Sequence, residues 1–212
     1  MDNYNYIDNI GIAGGGRWAK VIILELDKIL PLNIDFYIYS PNNFLNMSLW
    51  ITKNNFDRKI ILKNNFEKIK NKSHSAFIVA NSVHNHLKIA KIAIKNQIPV
   101  FIEKPLGINY QSTLEFIKYA DYKKVIYGVS QVFNFADYLQ NFFQHSKIIG
   151  EISSLKILWE DKKEEVRYGE IQKYDSSIPI FVDCFTHIFS IINFFLQLKN
   201  FNICDLKIKK GG

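Results

Sequence analysis

The chain has 212 residues, 48% of them hydrophobic, with 17 Phe and 11 Tyr, enough for the core of one large domain, or of one full domain and a smaller one, and too apolar for wholesale disorder. Its net charge of +7 comes from 27 basic residues, of which only Arg17, Arg58 and Arg167 are arginine, and scattered lysines without guanidinium forks argue against nucleic-acid recognition. No apolar run approaches the roughly 20 residues a membrane-spanning helix needs, so a membrane role is not expected.

Residues 9–13 read as a short buried strand, 14–16 as a glycine loop, and 17–30 as a helix closed by Pro31, with Val21, Leu24 and Ile29 broadly on one side. Further strands are expected at 34–39, 59–62, 76–80, 100–102 and 125–129. Helices are expected at 85–96, where Leu87, Ala90 and Ile94 stand at helical spacing, and at 110–119. Short apolar strands separated by helices indicate a parallel sheet covered on both faces. After about residue 130 the rhythm changes, which sets a domain boundary there. Residues 135–143 look helical, Gly150 punctuates, 152–159 and 201–209 alternate as strands, 160–178 form a polar loop, and 181–198 form a strongly apolar helix.

Two cysteines, Cys184 and Cys204, sit in apolar surroundings and read as buried free thiols. The first residues lack a basic segment followed by an apolar one, so no signal peptide is expected and the cytoplasm is the default location. His74 and His84 belong to no pattern and read as surface residues. No metal site is expected.

Gly14-x-Gly16-x-x-Ala19 follows a strand and opens a helix, the context a dinucleotide fingerprint requires. Gly14 permits the sharp turn, Gly16 lets a pyrophosphate approach the main chain, and Ala19 permits close helix–strand packing. The N–H groups of the first helical turn, with Gly15, Arg17 and Trp18 beside them, are then placed to bind the anion. This predicts an α/β fold, a doubly wound Rossmann sheet over 1–130. An acid is expected near the end of the second strand for the cofactor ribose. That strand ends Tyr39-Ser40-Pro41-Asn42-Asn43 instead, and Asp35 lies at its other end. Ser40 either bonds a ribose hydroxyl or leaves room for a 2′-phosphate, with no arginine near in sequence to hold one. The residues admit NAD or NADP.

Taken with Glu103-Lys104-Pro105-Leu106-Gly107, this turn resembles the Gfo/Idh/MocA family, the relatives of glucose-fructose oxidoreductase and inositol dehydrogenase. Val79-Ala80-Asn81 with His86 is similar to a strand-end motif of that family followed by a helix-capping histidine. Ile149-Gly150-Glu151-Ile152 resembles the start of its second domain, and Asp183-x-x-x-His187 a helical motif within it. The resemblance implies a Rossmann domain followed, over 131–212, by a partial α+β domain with a mainly antiparallel sheet for substrate binding or oligomerisation. It implies hydride transfer between NAD(P) and a hydroxyl or keto group of a sugar, cyclitol or nucleotide sugar. It implies that Lys104, Asp183 and His187 line the catalytic site, that Asn81, His86 and Glu103 stand on the cofactor side, and that the Lys104–Pro105 peptide is cis.

The residues themselves agree with that chemistry. Oxidising an alcohol removes a hydride and a proton. A lysine at the carboxyl end of a strand sits where ligands bind in an open α/β sheet. Asp183 and His187, at i and i+4, share one helix face. Each also has a plainer reading: Lys104 as a surface lysine, Asp183 as a charge at a helix N-terminus, His187 as a core histidine. His86 either contacts the cofactor side or stabilises its own helix start. The chain is shorter than that family, with two expected strands in its second domain, so association into a homo-oligomer through that sheet is expected. The leading expectation is an oxidoreductase; the alternative is a dinucleotide-binding sensor or partner subunit without turnover.

Overall fold

The computed structural model describes residues 7–67, 69–70, 73–160, 165–167, 170–172 and 177–196. The chain divides into two compact units, Met1–Ser130 and Gln131–Gly212.

In the first unit β1 (Asn9–Ala13) pairs in parallel with β2 (Asp35–Tyr39) on one side and β4 (Ala76–Val79) on the other. β3 (Ile60–Lys63) extends the sheet beyond β2, and β5 (Val100–Ile102) and β6 (Tyr127–Val129) extend it beyond β4. The order β3-β2-β1-β4-β5-β6 reverses between β1 and β4, which opens a crevice at the carboxyl ends of those two strands. Four α-helices accompany the sheet: α1 (Arg17–Ile29), α2 (Phe44–Asn54), α3 (His86–Lys95) and α4 (Tyr110–Lys123).

Side chains alternate across the sheet and build two cores. Ile10, Ile12, Phe36 and Ile38 point to one face, with Ile23 of α1 and Met47 of α2. Ala13, Tyr39, Phe77 and Val79 point to the other, with Ile89, Ala93 and Ile94 of α3 and Phe116 and Ala120 of α4. In α1 the buried positions are Ala19 and Ile23, while Ile29, expected on the apolar side, is exposed at the helix end. The helix α2 was not expected from the sequence. Met47, Trp50 and Ile51 face the core at helical spacing, but Leu45 and Leu49, one turn apart, face outward and blur the stripe.

Arg58 ties α1 to β2. Its side chain is fully buried; Nε donates to Asp27, and the two terminal nitrogens donate to the carbonyls of Asp27, Leu30, Pro31 and Ile34 at 2.9–3.1 Å. The guanidinium also lies 4.3 Å from the centre of the Phe36 ring. The carbonyls of Asp27 and the C-cap Leu30 thereby gain donors at the end of α1, where no glycine cap exists.

His74, expected at the surface, is buried. Its Nδ1 lies 2.6 Å from Asn9 Oδ1, and its Nε2 lies 2.8 Å from the Tyr39 hydroxyl. The asparagine oxygen only accepts, so Nδ1 carries the proton and Nε2 accepts from Tyr39. An isolated histidine gives no periodic signal, and its partners are 65 and 35 residues away. His84 is exposed, as expected.

In the second unit α5 (Asp137–Ile149) follows a 3-10 turn, β7 (Glu165–Arg167) pairs antiparallel with β8 (Glu170–Gln172), and α6 (Ile180–Leu196) follows. Two expectations are corrected. Residues 152–159, expected as a strand, carry none among the described residues. The polar stretch 160–178, expected as a loop, contains the β7–β8 ladder. The strand expected at 201–209 and Cys204 lie outside the described residues; Cys184 is buried. Among the described residues no helix is long and apolar enough to cross a membrane.

Burial, aided by the Lys63 ammonium, lowers the pKa of His74 to about 4, and burial raises that of Tyr39 to about 12. Native His74 is therefore neutral, whereas the unfolded chain binds its proton below about pH 6.5. Stability should fall by about 3 kcal/mol as the pH drops from about 6.5 to about 4. Urea denaturation across that range should show the slope and His74→Phe should flatten it; an equal slope in both proteins would refute the assignment.

Candidate dinucleotide site

The turn from β1 into α1 is shaped by what surrounds it. Gly14 has φ +147°, and a Cβ there would stand 2.6 Å from the Ala80 carbonyl oxygen and 2.9 Å from Ala19 Cβ. Its N–H donates to the Tyr39 carbonyl at 3.0 Å, which joins the turn to the end of β2. A Cβ on Gly15 would stand 2.0 Å from Ser40 Oγ, and the Asn43 amide donates to the Gly15 carbonyl. Gly16 differs: a Cβ there would meet nothing within 4 Å, so it would project into open space.

The start of α1 is bare. Gly16 is its N-cap, no side chain caps it, and no acid stands in its first turn. By contrast Asn109 caps α4, its Oδ1 accepting from the Ser112 N–H at 3.0 Å. The unsatisfied N–H groups of α1 and the positive end of its dipole form an anion site at the edge of the crevice.

A cavity of about 1180 Å³ opens beside this turn. Gly14, Gly15, Gly16, Arg17, Trp18, Ser40 and Asn81, all picked out from the sequence, line it. Ser40 is buried, and the buried amide oxygens of Asn65 and Asn81 on the cavity lining make no hydrogen bond within the protein. The open space at Gly16, the bare helix end and these polar groups fit a phosphate-bearing dinucleotide.

The sequence reading missed the far wall, formed by Asn64, Asn65 and Phe66 after β3 and by Lys88, Ile92 and Lys95 of α3. Only the α3 residues left a signal, an i, i+4, i+7 row on one helix face. Arg17 was set apart from Ser40 in sequence, yet both line the same cavity.

His86 and Glu103 are not on the cavity lining. His86 is buried behind it, with Nδ1 2.9 Å from the Pro105 carbonyl and Nε2 2.9 Å from the Asn81 carbonyl. It therefore links the loop after β4 to the turn after β5, which neither reading of its role anticipated. Glu103 is buried, and its N–H donates to the Val79 carbonyl at 2.9 Å. Lys104 is half-buried at the carboxyl end of β5, and the Lys104–Pro105 peptide is cis.

Asp183 and His187 lie in the second unit, one turn apart on α6. Asp183 stands in the first turn, where its charge complements the helix dipole. The His187 ring stacks on Trp159 at 5.5 Å between centroids and meets the Phe133 ring edge-on at 5.1 Å.

The reversed sheet, the glycine turn and the bare helix end define a Rossmann-type dinucleotide-binding domain. Residues 36–131 match the Gfo/Idh/MocA family, described as an oxidoreductase family with an NAD-binding Rossmann fold. The match falls almost wholly within the first unit and covers less than half of the chain, and the fold it describes is NAD-binding. No curated protein matches the chain.

Among solved structures it is similar to myo-inositol 2-dehydrogenase from Lactobacillus plantarum (TM-score 0.59, 18% identity, covering 68% of this chain and 42% of that one). It is similar to scyllo-inositol dehydrogenase from Lactobacillus casei with bound NAD(H) and scyllo-inositol (0.58, 17%, 69% and 43%). It is also similar to biliverdin reductase from Synechocystis sp. PCC 6803 in complex with biliverdin and NADP+ (0.56, 18%, 68% and 44%). At these identities the likeness is one of fold, and the chain spans less than half the length of each.

Gly16→Val should leave the fold intact, because its Cβ meets open space and φ −81° suits a branched residue. It should weaken dinucleotide binding at least about tenfold. Titration monitored by nicotinamide fluorescence, with circular dichroism as the folding control, checks this; unchanged affinity would place the pyrophosphate elsewhere.

Proposed function

We propose that this chain is an NAD(P)-dependent oxidoreductase that acts on a hydroxyl or keto group of a small carbohydrate-like substrate, a sugar, cyclitol or nucleotide sugar. The observation that carries the reading is the cavity at the sheet's reversal, lined by the glycine turn and a helix end left without a cap. A bound nicotinamide supplies the hydride acceptor or donor. The chain supplies the proton chemistry. Lys104, at the carboxyl end of β5, takes up or returns the substrate proton. On α6, His187 serves as acid or base near neutral pH, and Asp183 orients it or binds a substrate hydroxyl. His86 and Glu103 act from behind the cavity, fixing the backbone on which Asn81 and Lys104 stand.

What supports a small-molecule substrate is that similar folds are solved with scyllo-inositol or biliverdin bound, and the family description supports the reaction type. A second reading is dinucleotide binding without turnover; what supports it is that the match covers only 42–44% of those enzymes. The cytoplasm is the proposed location.

Titration of the purified chain with NADH and NADPH, followed by a screen of polyols and sugars, tests the proposal. Lys104→Ala and His187→Ala should abolish turnover while changing dinucleotide affinity less than about threefold. Binding without turnover on any substrate would favour the second reading, and no binding by a folded chain would overturn both.

We further propose that copies of the chain associate through the second unit, where α5 exposes Tyr138, Phe142, Ile148 and Ile149. Sedimentation should show a dimer or larger species; a stable, well-folded monomer would refute this.

A further inference from the structure

We propose that His74, which stands outside the cavity lining, is a positioning residue for the nucleotide turn and acts on it through Tyr39. The inference rests on the dinucleotide reading above and adds what holds the turn in its binding geometry.

Tyr39 joins two sets of contacts. Its carbonyl accepts the Gly14 N–H at 3.0 Å. Its ring lies on the cavity lining, where the Phe66 ring stacks on it at 5.8 Å between centroids. The pairing of β1 with β2 runs no further than Ala13 and Tyr39, and at Ser40 the backbone leaves the extended form, with ψ 67°. The bond that holds Gly14 therefore closes the ladder at its end, where strands fray first. An anchored Tyr39 side chain opposes that fraying.

The anchor is His74. The Tyr39 hydroxyl donates to its Nε2 at 2.8 Å, and its Nδ1 donates to Asn9 Oδ1 at 2.6 Å. Asn9 opens β1 and Gly14 directly follows the strand's last residue, so the imidazole ties the start of β1 to the residue that receives the turn at its end. The path is shielded from water: His74 is 5% exposed and Tyr39 1%. Without Nε2 the phenol has no water to turn to, so either its hydroxyl is left unpaired or the ring shifts.

The sheet makes room for this histidine. Gly11 stands in the middle of β1, where a glycine weakens a strand and marks a close approach. A Cβ on it would stand 2.9 Å from His74 Cδ2 and closer still to the Phe77 ring. The strand gives up a side chain there, and the imidazole reaches Tyr39 beneath it. His74 does not line the cavity, so its effect on a bound dinucleotide passes through Tyr39, which does.

The test is fluorescence titration of the intact chain with NADH and with NADPH, at a temperature where circular dichroism shows every variant folded. Tyr39→Phe removes only the hydroxyl and should weaken binding at least about threefold. His74→Phe should weaken it by a similar factor, and the double variant should lose no more than the larger single loss, because both changes cut one bond. His74→Gln, which keeps an acceptor, should recover affinity; if His74→Phe does not fold, this variant and Tyr39→Phe carry the test. Phe116→Leu, in the buried core and off the cavity lining, should destabilise the chain and leave affinity unchanged, which separates positioning from stability. Unchanged affinity in Tyr39→Phe, losses that multiply in the double variant, or an equal loss in Phe116→Leu would overturn the inference while the dinucleotide reading stands. Binding of neither cofactor by the folded, unaltered chain would overturn both.

Discussion

At Gly14 the backbone passes so near its neighbours that one methyl group would press on both the Ala80 carbonyl oxygen and the Ala19 side chain. This contact joins β1, β4 and α1 at the point where the sheet reverses. It sets how deep the first turn of α1 sits in the crevice, and so where its free N–H groups point. The rest of the site is arranged around it. Ser40 fills the space beside Gly15, Asn43 holds the Gly15 carbonyl, and Tyr39 receives the Gly14 N–H. Each of these partners belongs to the end of β2 or the loop after it. The nucleotide turn and the ribose-side wall are therefore one packed object rather than two independent loops.

Such a turn needs a rigid support at the far end of the helix, and Arg58 provides it. A buried guanidinium would be unfavourable if left unmatched, since breaking a buried charge pair typically costs about 3–5 kcal/mol. Here the donors reach Asp27 and four backbone carbonyls. The same group therefore neutralises its charge, closes the C-terminal end of α1 and fixes the chain where it enters β2. With α1 held at both ends, its N-terminal turn keeps its place although no side chain caps it. One of the three arginines thus serves architecture, and another, Arg17, lines the cavity.

The parallel sheet was legible in the sequence because its strands read as short continuous apolar runs, as at Ala76–Val79 and at Ile10–Ala13, which is buried on both faces. The glycine turn was legible because its spacing reflects steric demands that now have named partners, Ala80 for Gly14 and Ser40 for Gly15. What escaped has a common cause. The helix α2 presents Met47, Trp50 and Ile51 to the core, but Leu45 and Leu49 on its outer side hid that face in the sequence. The core histidine His74 and the cavity wall at Asn64–Phe66 depend on neighbours far away in the chain, and neither periodicity nor spacing reports such contacts. Alternation at 152–159 suggested a strand that is not formed among the described residues, since alternation alone does not make one. For Lys104, Asp183 and His187 the sequence supplied residue types and spacing, while their roles rest on chemistry that binding and turnover must test.

Of the four helices of the first unit, only α4 shows a side-chain cap among the described residues, and α1, α2 and α3 start without one. Asn109 caps α4, a feature worth roughly 1 kcal/mol, at an end where no ligand is in prospect. The start of α1 forgoes the same contribution and adds three consecutive glycines, each of which raises the entropy lost on folding. The two apolar cores and the Arg58 clamp offset that loss without the ligand, and an anion on the free N–H groups would restore it, because any molecule that binds only the folded state stabilises it by mass action. The uncapped end is therefore best understood as a half-made interaction whose other half is the dinucleotide.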